Sequence, residues 1–382
     1  MNGHAAIVGV AESDLGVTGA SVLKLHSQAV LRAVEDAGLT LDEVDGLATT
    51  GIDRFPAVQV AEYLGMNPTW SDTTFGGGSS FQIMVAHAAA AIHHGDAEVV
   101  VVSYGSNQRS TKSRRLGGVM NPNQPESQFD APFGVLNPVS FYAMAARRHM
   151  HDYGTTEEQL AEIAVAAREW ALLNPMAYRF GAGPLTADDV LASDPVSTPL
   201  KVLDCCLVTD GGAAVVVTSL DRARDLRQVP IVPLGYGEVS THHGMSQVPD
   251  LTRTGAYDSA ARAFARAGLS VEDVDVVEAY DSFTITALLT IEALGMCAPG
   301  EGGDFVADGR LRPGGGVAFN TSGGGLSYCH PGMFGLLLIV EAVRQLRGEG
   351  GDRQVPGAET AVCHGTGGIL SNHATLVLGV DR

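Results

Sequence analysis

The stretch AGLTLDEVDGL at residues 37–47 returns as AGLSVEDVDVV at residues 267–277, at a constant offset of 230 residues. Most aligned positions are identical or conservatively exchanged. Each copy follows an Ala-rich amphipathic segment, at residues 26–39 and 257–269, and each precedes a strand-like segment. Repetition at a fixed offset is typical of a duplicated architecture. The chain is therefore predicted to form two similar halves, each beginning strand, helix, strand.

A second matching segment lies further along each half. Glycines at residues 76–78 open an apolar helix at about residues 80–94, and His330-Pro331-Gly332 opens another at residues 333–346. A strand-like segment follows each helix. Because a helix that is apolar on every face must be buried on all sides, we expect two helices stacked back to back between two sheets.

The predicted halves span residues 1–225 and 226–382, and the first carries an insertion at about residues 106–200. The insertion contains a polar, basic loop, a stretch rich in Pro and Asn, and two helical segments. The second helical segment opens with the capping-box pattern Thr156-Glu157-Glu158-Gln159. Insertions of this length in compact domains are usually functional or interfacial.

Composition restricts the function. The 382 residues are 45% hydrophobic and 18% charged, as in a globular α/β enzyme, and the net charge is −19. That charge disfavours nucleic acid and anionic membrane surfaces. No run of 18 apolar residues and no secretory leader is visible. The five cysteines are too few and too scattered for a disulfide framework, so a cytoplasmic location is expected.

Five segments carry a resemblance to a known family. They are Asn174–Tyr178, Leu203–Val216, Tyr280–Phe283, Cys329–Gly332 and Cys363–Gly368. In this order they are similar to segments of the sterol-carrier-protein-linked branch of the thiolase superfamily, over nearly the whole chain. The resemblance implies an α/β fold of thiolase type, with two duplicated αβ halves in a five-layer α-β-α-β-α arrangement. It also implies an acyl-CoA substrate, with coenzyme A as part of that substrate and no covalently bound cofactor.

The sequence departs from this family at the nucleophile. The family's reactive cysteine opens the first buried helix, and the matching position here is Gly78, between Gly77 and Ser79. No cysteine occurs in the first 204 residues. Thiolysis proceeds through an acyl-thioester on that cysteine, so the covalent half-reaction has no attacking thiol. Ser79 is a formal substitute, but its hydroxyl is a weak nucleophile unless a base activates it.

The remaining groups suit a non-covalent reaction. A helix that begins with glycines presents N–H groups for a thioester carbonyl or enolate, and Gly365 and Gly367 add further backbone donors. His330 is expected to donate to the same oxygen or to act as acid or base, and the phenol of Tyr280 suits proton transfer with an alkoxide. We therefore expect an aldol or retro-aldol reaction.

This pattern resembles the thiolase-like steroid side-chain aldolases, which lack the thiolase cysteine and carry a Tyr-Asp-x-Phe segment like that at residues 280–283. They also carry a tyrosine near the Gly-His-Pro motif, where Tyr328 lies in this chain. The resemblance implies retro-aldol cleavage of a β-hydroxyacyl-CoA, such as a steroid or another bulky thioester, to a ketone or aldehyde and a shorter acyl-CoA. It further implies an OB-fold partner of the DUF35 type and a homodimer paired through the edge strand Glu98–Ser103.

Structural interpretations compete with these assignments. Asp281 suits a turn-capping role better than substrate binding. Cys363 is either a small buried hydrophobe or the counterpart of the thiolase acid/base cysteine, with His364 beside it. Cys205 and Cys206 are expected to be structural. No metal site is expected, because the pairs His93-His94 and His242-His243 lack further ligands.

Two points stay open. The basic cluster Arg109, Lys112, Arg114 and Arg115 is either a solvated loop or a contact for CoA phosphates or an acidic partner. The alternative functions are a thiolase-like acyltransferase that uses Cys363 or Cys329, and a non-catalytic subunit that binds acyl-CoA or lipid.

Overall fold

The computed structural model describes residues 4–114, 122–135 and 138–381. Within them lie the helices α1 (Val22–Ala37), α2 (Pro56–Leu64), α3 (Ser80–His94), α4 (Pro125–Phe129), α5 (Val139–Tyr153), α6 (Glu157–Leu172), α7 (Ala187–Ala192), α8 (Leu220–Ala223), α9 (Ala256–Ala267), α10 (Thr284–Ala293), α11 (Gly302–Val306) and α12 (Gly335–Arg347). The strands are β1 (Ala5–Glu12), β2 (Gly46–Thr49), β3 (Trp70–Asp72), β4 (Val99–Ser106), β5 (Pro195–Ser197), β6 (Leu200–Lys201), β7 (Gly211–Ser219), β8 (Ile231–Ser240), β9 (Val276–Ala279), β10 (Ala318–Phe319), β11 (Thr360–Gly367) and β12 (Asn372–Val380).

The strand order shows the duplication directly. The first-half strands are ordered β1-β7-β4-β2-β3 and the second-half strands β8-β12-β11-β9-β10. Matching pairs also run in matching directions. β4 and β7 are antiparallel, as are β11 and β12, whereas β2 pairs with β4 and β9 with β11 in parallel. The repeat predicted from sequence is thus a repeat of topology.

The two halves meet edge to edge. β1 and β8 pair at one position, Ile7 with Ile231, so hydrogen bonding joins the ten strands into one sheet. The two five-stranded halves of this sheet lie on either side of α3 and α12, with α1 outside the first half and α9 outside the second, which is the predicted five-layer arrangement.

The repeated motif has a definite structural role. Gly38 and Gly268 end α1 and α9 with φ of 74° and 69°, a conformation that glycine adopts without strain. A capping box follows each glycine and starts a short 3-10 turn. The carboxylates of Asp45 and Asp275 then accept the first backbone N–H groups of β4 and β11 at 2.9–3.0 Å. The same sequence motif therefore ends a helix and anchors a strand in both halves.

The two central helices form the core between the halves. Eleven of the fifteen residues of α3 and eleven of the thirteen residues of α12 are buried. Each helix packs against strands of both halves. Their N-termini meet where Gln82 Nε2 donates to the carbonyl oxygen of Gly335 at 3.0 Å. This meeting point brings residue 78 and the His330 loop to the same place.

The insertion covers the second half. It contains α4 to α7 and the β5–β6 hairpin, and α6 packs against α10, α11 and the turn Gly324–Tyr328. The predicted capping box is present, since the Thr156 side chain accepts from Gln159 N. One expectation about assembly is wrong. The segment Glu98–Ser103 does not form an edge strand, because β4 lies between β7 and β2, and β3 is the edge of the first half. No described helix has the length and apolar run needed to cross a bilayer.

Candidate active site

Tyr280 follows β9 directly and is held by its backbone. Its N–H donates to the carbonyl oxygen of His364 at 2.9 Å. The side chain of Asn320 holds the preceding residue on both sides, accepting from Ala279 N at 2.7 Å and donating to its carbonyl oxygen at 2.9 Å. Since the strand end is fixed at three hydrogen bonds, the ring of Tyr280 projects from a rigid position into the interior, with 5% of the residue exposed.

His330 follows the tight π-helical turn Gly324–Tyr328 and is equally well held. Its N–H donates to Thr209 Oγ1 at 3.0 Å, and its carbonyl oxygen accepts from Gln108 Nε2 at 2.8 Å. Thr209 and Gln108 belong to the first half of the chain. The site is thus assembled across the boundary between the halves.

The structure brings the side chains of Tyr280 and His330 together. Tyr280 Oη lies 3.0 Å from His330 Nε2, and the rings meet edge to face at 88° with centroids 5.6 Å apart. The phenol oxygen also lies 3.4 Å from the carbonyl oxygen of Gly332. The two groups share one hydrogen bond in a buried setting, where such bonds are strong and directional.

Arg114 determines the tautomer of His330. Its Nη1 lies 3.4 Å from His330 Nδ1, and a guanidinium can only donate. Nδ1 is therefore the unprotonated nitrogen, and Nε2 carries the hydrogen that points at Tyr280 Oη. The imidazole donates to the phenol oxygen, which stabilises negative charge on that oxygen and leaves the phenol's own proton available for transfer.

Burial sets the charge states of this pair. It lowers the pKa of His330 well below the usual range, and the positive charge of Arg114 lowers that pKa further. Burial also raises the pKa of Tyr280 well above 10. Cys206, Tyr142 and Tyr104 raise this pKa further, whereas the positive charge of Arg114 lowers it. At neutral pH the site holds a neutral imidazole and a neutral phenol.

The ring of Tyr280 occupies the space in front of Gly78. A Cβ atom at residue 78 would lie 2.7 Å from Cζ of Tyr280, closer than real side-chain contacts. The glycine and the tyrosine are thus complementary in shape. A cysteine at this position and the present tyrosine could not both fit.

The neighbouring groups of the predicted oxyanion site are closely packed. The hydroxyl of Ser79 donates to the carbonyl oxygen of Gly76 at 2.6 Å and contacts Asn372, and no base lies against it among the described residues. A Cβ on Gly365 would lie 2.7 Å from Cα of Ser79, and one on Gly367 would lie 3.0 Å from Cα of Gly77. Both glycines let β11 touch the start of α3.

Cys363 and His364 point to opposite faces of β11, and neither side chain meets Tyr280. Cys363 is buried against α12, with its thiol 3.6 Å from the carbonyl oxygen of Leu338, and burial raises its pKa well above 9. His364 Nδ1 lies 2.8 Å from Thr375 Oγ1. The backbone of His364 contributes to the site, but its imidazole does not.

Asp281 has the turn-holding contacts that the sequence favoured for it, and Tyr328 has its own partner away from Tyr280. The carboxylate of Asp281 accepts from Gly325 N at 2.7 Å and from Leu326 N at 3.2 Å, so it holds the turn that precedes His330. Burial raises the pKa of this carboxyl to about 7, although those backbone hydrogen bonds lower it. The hydroxyl of Tyr328 donates to Glu12 at 2.6 Å, and Arg344 donates to the same carboxylate.

The remaining cysteines complete the comparison with a thiolase. Cys329 is fully buried, and burial raises its pKa well above 9. Cys206 faces Arg114, whose Nη2 lies 3.5 Å from its sulfur, whereas Cys205 contacts the carbonyl oxygen of Lys201. Cys206 was expected to be structural and instead lies beside the site. Buried, protonated thiols are poor nucleophiles, so the geometry does not favour the acyltransferase alternative.

Arg114 is the residue that sequence reasoning placed in a loop and did not assign to the site. The available signal was the basic cluster in an acidic chain, of which Arg115 lies outside the described residues. Within the described ranges, no group of three or more potential ligands could hold a metal ion. Neither the pair His93-His94 nor the pair His242-His243 belongs to such a group.

Comparison with known proteins agrees with this geometry. Residues 237–380 match the family described as thiolase C-terminal domain-like. The chain is 38% identical to a steroid side-chain-cleaving aldolase of Thermomonospora curvata, over all of this chain and 99% of that protein. It is 39% identical to a 17-hydroxy-3-oxo-4-pregnene-20-carboxyl-CoA lyase of Mycobacterium tuberculosis, over 91% of this chain and 92% of that one. A solved Ltp2-ChsH2(DUF35) aldolase superposes with a TM-score of 0.90 at 36% identity, over 100% of this chain and 99% of that chain.

A duplicated sheet around two buried helices whose N-termini meet defines a thiolase fold. The chain belongs to the thiolase superfamily. Within it, the chain is an enzyme of the aldolase/lyase branch, which cleaves or forms carbon–carbon bonds.

Proposed function

We propose that the chain cleaves the Cα–Cβ bond of a β-hydroxyacyl-CoA that carries a bulky, steroid-like group, giving a ketone and a shorter acyl-CoA. The observation that carries the proposal is the Tyr280–His330 hydrogen bond in the space before Gly78. The two named relatives act on a steroid side chain and on a steroid carboxyl-CoA thioester, and both are similar over more than nine-tenths of this chain.

The proton count of the reaction fits one phenol. Retro-aldol cleavage removes a proton from the β-hydroxyl and adds one at Cα, so no net proton is consumed. Tyr280 Oη can give its proton to Cα and take the hydroxyl proton in return, which restores the phenol. Negative charge that develops on Oη is stabilised by the Nε2–H of His330. The positive charge of Arg114 lies at the other ring nitrogen of that imidazole.

A two-substrate assay tests the reaction type. The purified protein is incubated with 17-hydroxy-3-oxo-4-pregnene-20-carboxyl-CoA, and separately with a β-ketoacyl-CoA plus free CoA. We expect a ketone and a shorter acyl-CoA from the first incubation and no thiolysis in the second. Thiolysis alone would support an acyltransferase, and no reaction in either would support a binding subunit.

We also propose a DUF35-type OB-fold partner, because the structural neighbour is a complex with a DUF35 protein. Co-expression with such a protein followed by affinity purification of this chain tests the association. We expect a stable complex and higher lyase activity than with the chain alone. Recovery of this chain without the partner, at full activity, would contradict the proposal.

A homodimer is the third proposal, through the edge strand β3 rather than β4. Exposed apolar side chains lie on and before α2 and shortly after β3, among them Phe55, Val58, Tyr63 and Phe75. An open strand edge flanked by apolar surface favours pairing with a second copy. Sedimentation at micromolar concentration should show a dimer, and Phe75→Glu should shift it toward the monomer. A wild-type monomer would contradict the proposal.

A further inference from the structure

Tyr104 connects the first half of the chain to the loop that carries His330. It lies on β4, a strand held between β7 and β2, and 4% of the residue is exposed. Its ring packs against Phe81 of α3, with the centroids 5.3 Å apart. The ring therefore stands at a fixed position, and the hydroxyl at its end reaches the loop that precedes α12.

The hydroxyl of Tyr104 makes two hydrogen bonds to this loop. It donates to the carbonyl oxygen of Pro331 at 2.8 Å and accepts from Met333 N at 3.2 Å. Gly332 lies between these residues with φ of 103°, and a Cβ atom there would lie 3.0 Å from the hydroxyl oxygen. One side chain thus holds the peptide units on both sides of Gly332, where a larger residue would be strained and crowded.

The peptide unit between Gly332 and Met333 has a second tyrosine at its other end. Its carbonyl oxygen, that of Gly332, lies 3.4 Å from Tyr280 Oη. Because a trans peptide unit is planar, its N–H and C=O groups point in opposite directions and turn together. Tyr104 binds the N–H group, so it also fixes the direction in which the carbonyl oxygen faces Tyr280.

This carbonyl oxygen is an acceptor for the phenol hydrogen of Tyr280. The Nε2–H of His330 donates to Oη, so the phenol's own hydrogen needs an acceptor elsewhere. The carbonyl oxygen of Gly332 supplies one. At 3.4 Å the bond is long for an O–H···O hydrogen bond, so it orients the hydrogen without holding it tightly.

We propose that Tyr104 is a positioning residue for the lyase reaction, and that it orients the Tyr280 hydroxyl through the Gly332–Met333 peptide unit. The inference deepens the proposed function and rests on it. As the Cα–Cβ bond breaks, its electron pair takes up the Tyr280 proton at Cα, and Oη takes the proton of the β-hydroxyl. Tyr104 exchanges no proton in this step; it determines where the Tyr280 proton starts.

Tyr104→Phe tests the inference, because it keeps the ring and removes both hydrogen bonds to the loop. We expect kcat to fall at least about tenfold with KM within about twofold of wild type, since misplacing a reacting group costs rate rather than binding. Tyr236→Phe is the matched control, because its buried hydroxyl donates to Glu238 instead of this loop. Urea denaturation gives the folded fraction of each variant, to which kcat is normalised.

A double mutant separates positioning from general support of the loop. In a Tyr280→Phe background there is no phenol hydrogen for the Gly332 carbonyl oxygen to orient. Tyr104→Phe should then lower kcat by less than about twofold. An equal loss in both backgrounds would overturn the inference, because Tyr104 would then support the loop without acting through Tyr280.

A measurement without substrate keeps the inference distinct from the reaction. Protein labelled with ¹³C at Cζ of tyrosine gives a resonance for Tyr280, which is assigned by its loss in Tyr280→Phe. We expect Tyr104→Phe to shift this resonance and Tyr236→Phe to leave it in place. If the wild type cleaves no β-hydroxyacyl-CoA, a shifted resonance still supports the positioning of Tyr280, and only the lyase proposal falls. An unmoved resonance in Tyr104→Phe would refute the inference even for an active lyase.

Discussion

Among single residues, Tyr280 combines two properties that usually conflict. Its hydroxyl is buried, which keeps it protonated, yet it accepts a hydrogen bond from an imidazole that would stabilise the phenolate. A group of this kind can give and regain a proton without an ionised resting state. Burial keeps His330 neutral, the charge of Arg114 favours the neutral form further, and the contact with Arg114 fixes its tautomer.

Replacement of Tyr280 by phenylalanine tests the proton transfer. Tyr280→Phe keeps the ring in front of Gly78 and removes only Oη, so the fold should be retained. We expect kcat for retro-aldol cleavage to fall by about a hundredfold or more, the usual scale for general acid–base catalysis. Tyr236→Phe is the matched control, since Tyr236 is buried like Tyr280 but its hydroxyl donates to Glu238, away from His330. Near-normal cleavage by Tyr280→Phe would refute the assignment.

The pH dependence of kcat gives a second test. The pKa of His330 is lowered, so the imidazole stays neutral as the pH falls through the ordinary pKa of histidine. The pKa of Tyr280 is raised, so the phenol stays protonated at mildly alkaline pH. We therefore expect no inflection from His330 or Tyr280 between about pH 6 and pH 9. An inflection near pH 6.5 that disappears in His330→Asn would show that the imidazole titrates in turnover.

The sequence predicted Tyr280 and His330 because each lies in a motif whose neighbours also match. It could not predict Arg114, since the route of an irregular loop is not encoded by any periodicity. The direction of Cys363 was predictable. Adjacent strand residues face opposite sides, so Cys363 and His364 could not both reach one site.

At the scale of elements, the close contact between β11 and the start of α3 depends on glycines. Gly78→Ala places a methyl group against the ring of Tyr280. We expect a loss of unfolding free energy of about 1–3 kcal/mol, typical of an overpacked core, together with reduced kcat. Thermal denaturation measures the first effect.

Gly181→Ala provides the control for this change. A Cβ at residue 181 meets no atom within 4 Å, so stability should be unchanged or slightly higher. Equal melting temperatures for the wild type and Gly78→Ala would show that the space before residue 78 is not filled as described.

The repeated motif allowed most elements of both halves to be predicted, because helix ends and capping boxes are local in sequence. The position of β4 could not be predicted. β7 follows the long insertion in the sequence, yet it hydrogen-bonds to β4, so that this side of β4 is not a free sheet edge. Which strand becomes an edge depends on contacts far apart in sequence, and composition does not reveal it.

For the whole molecule, an ion pair helps to hold the halves together. Glu12 ends β1 in the first half, and Arg344 lies on α12 in the second. Burial raises the pKa of Glu12, but the charge and hydrogen bonds of Arg344 and Tyr328 outweigh burial, so that the net pKa is lowered. The stabilisation is present above the unfolded pKa of Glu12 and is lost as the pH falls through the folded one.

Removal of this carboxylate should destabilise the fold. Glu12→Gln leaves Arg344 partly buried and unpaired, and we expect a loss of about 2–3 kcal/mol at neutral pH. The loss should shrink in acid, where wild-type Glu12 is protonated. Asp381→Asn breaks an exposed ion pair with Arg224 and should cost less than about 1 kcal/mol. Urea denaturation of both variants makes the comparison, and equal losses would contradict the role of Glu12.

The complementary shapes of Gly78 and Tyr280 constrain how such an enzyme could have evolved. A side chain at residue 78 would collide with the ring of Tyr280 and also with the backbone carbonyl oxygen of Thr366 on β11. Removal of the tyrosine ring alone would therefore leave the backbone in the way. A nucleophilic thiol at this position requires a change at residue 280 together with a shift of β11.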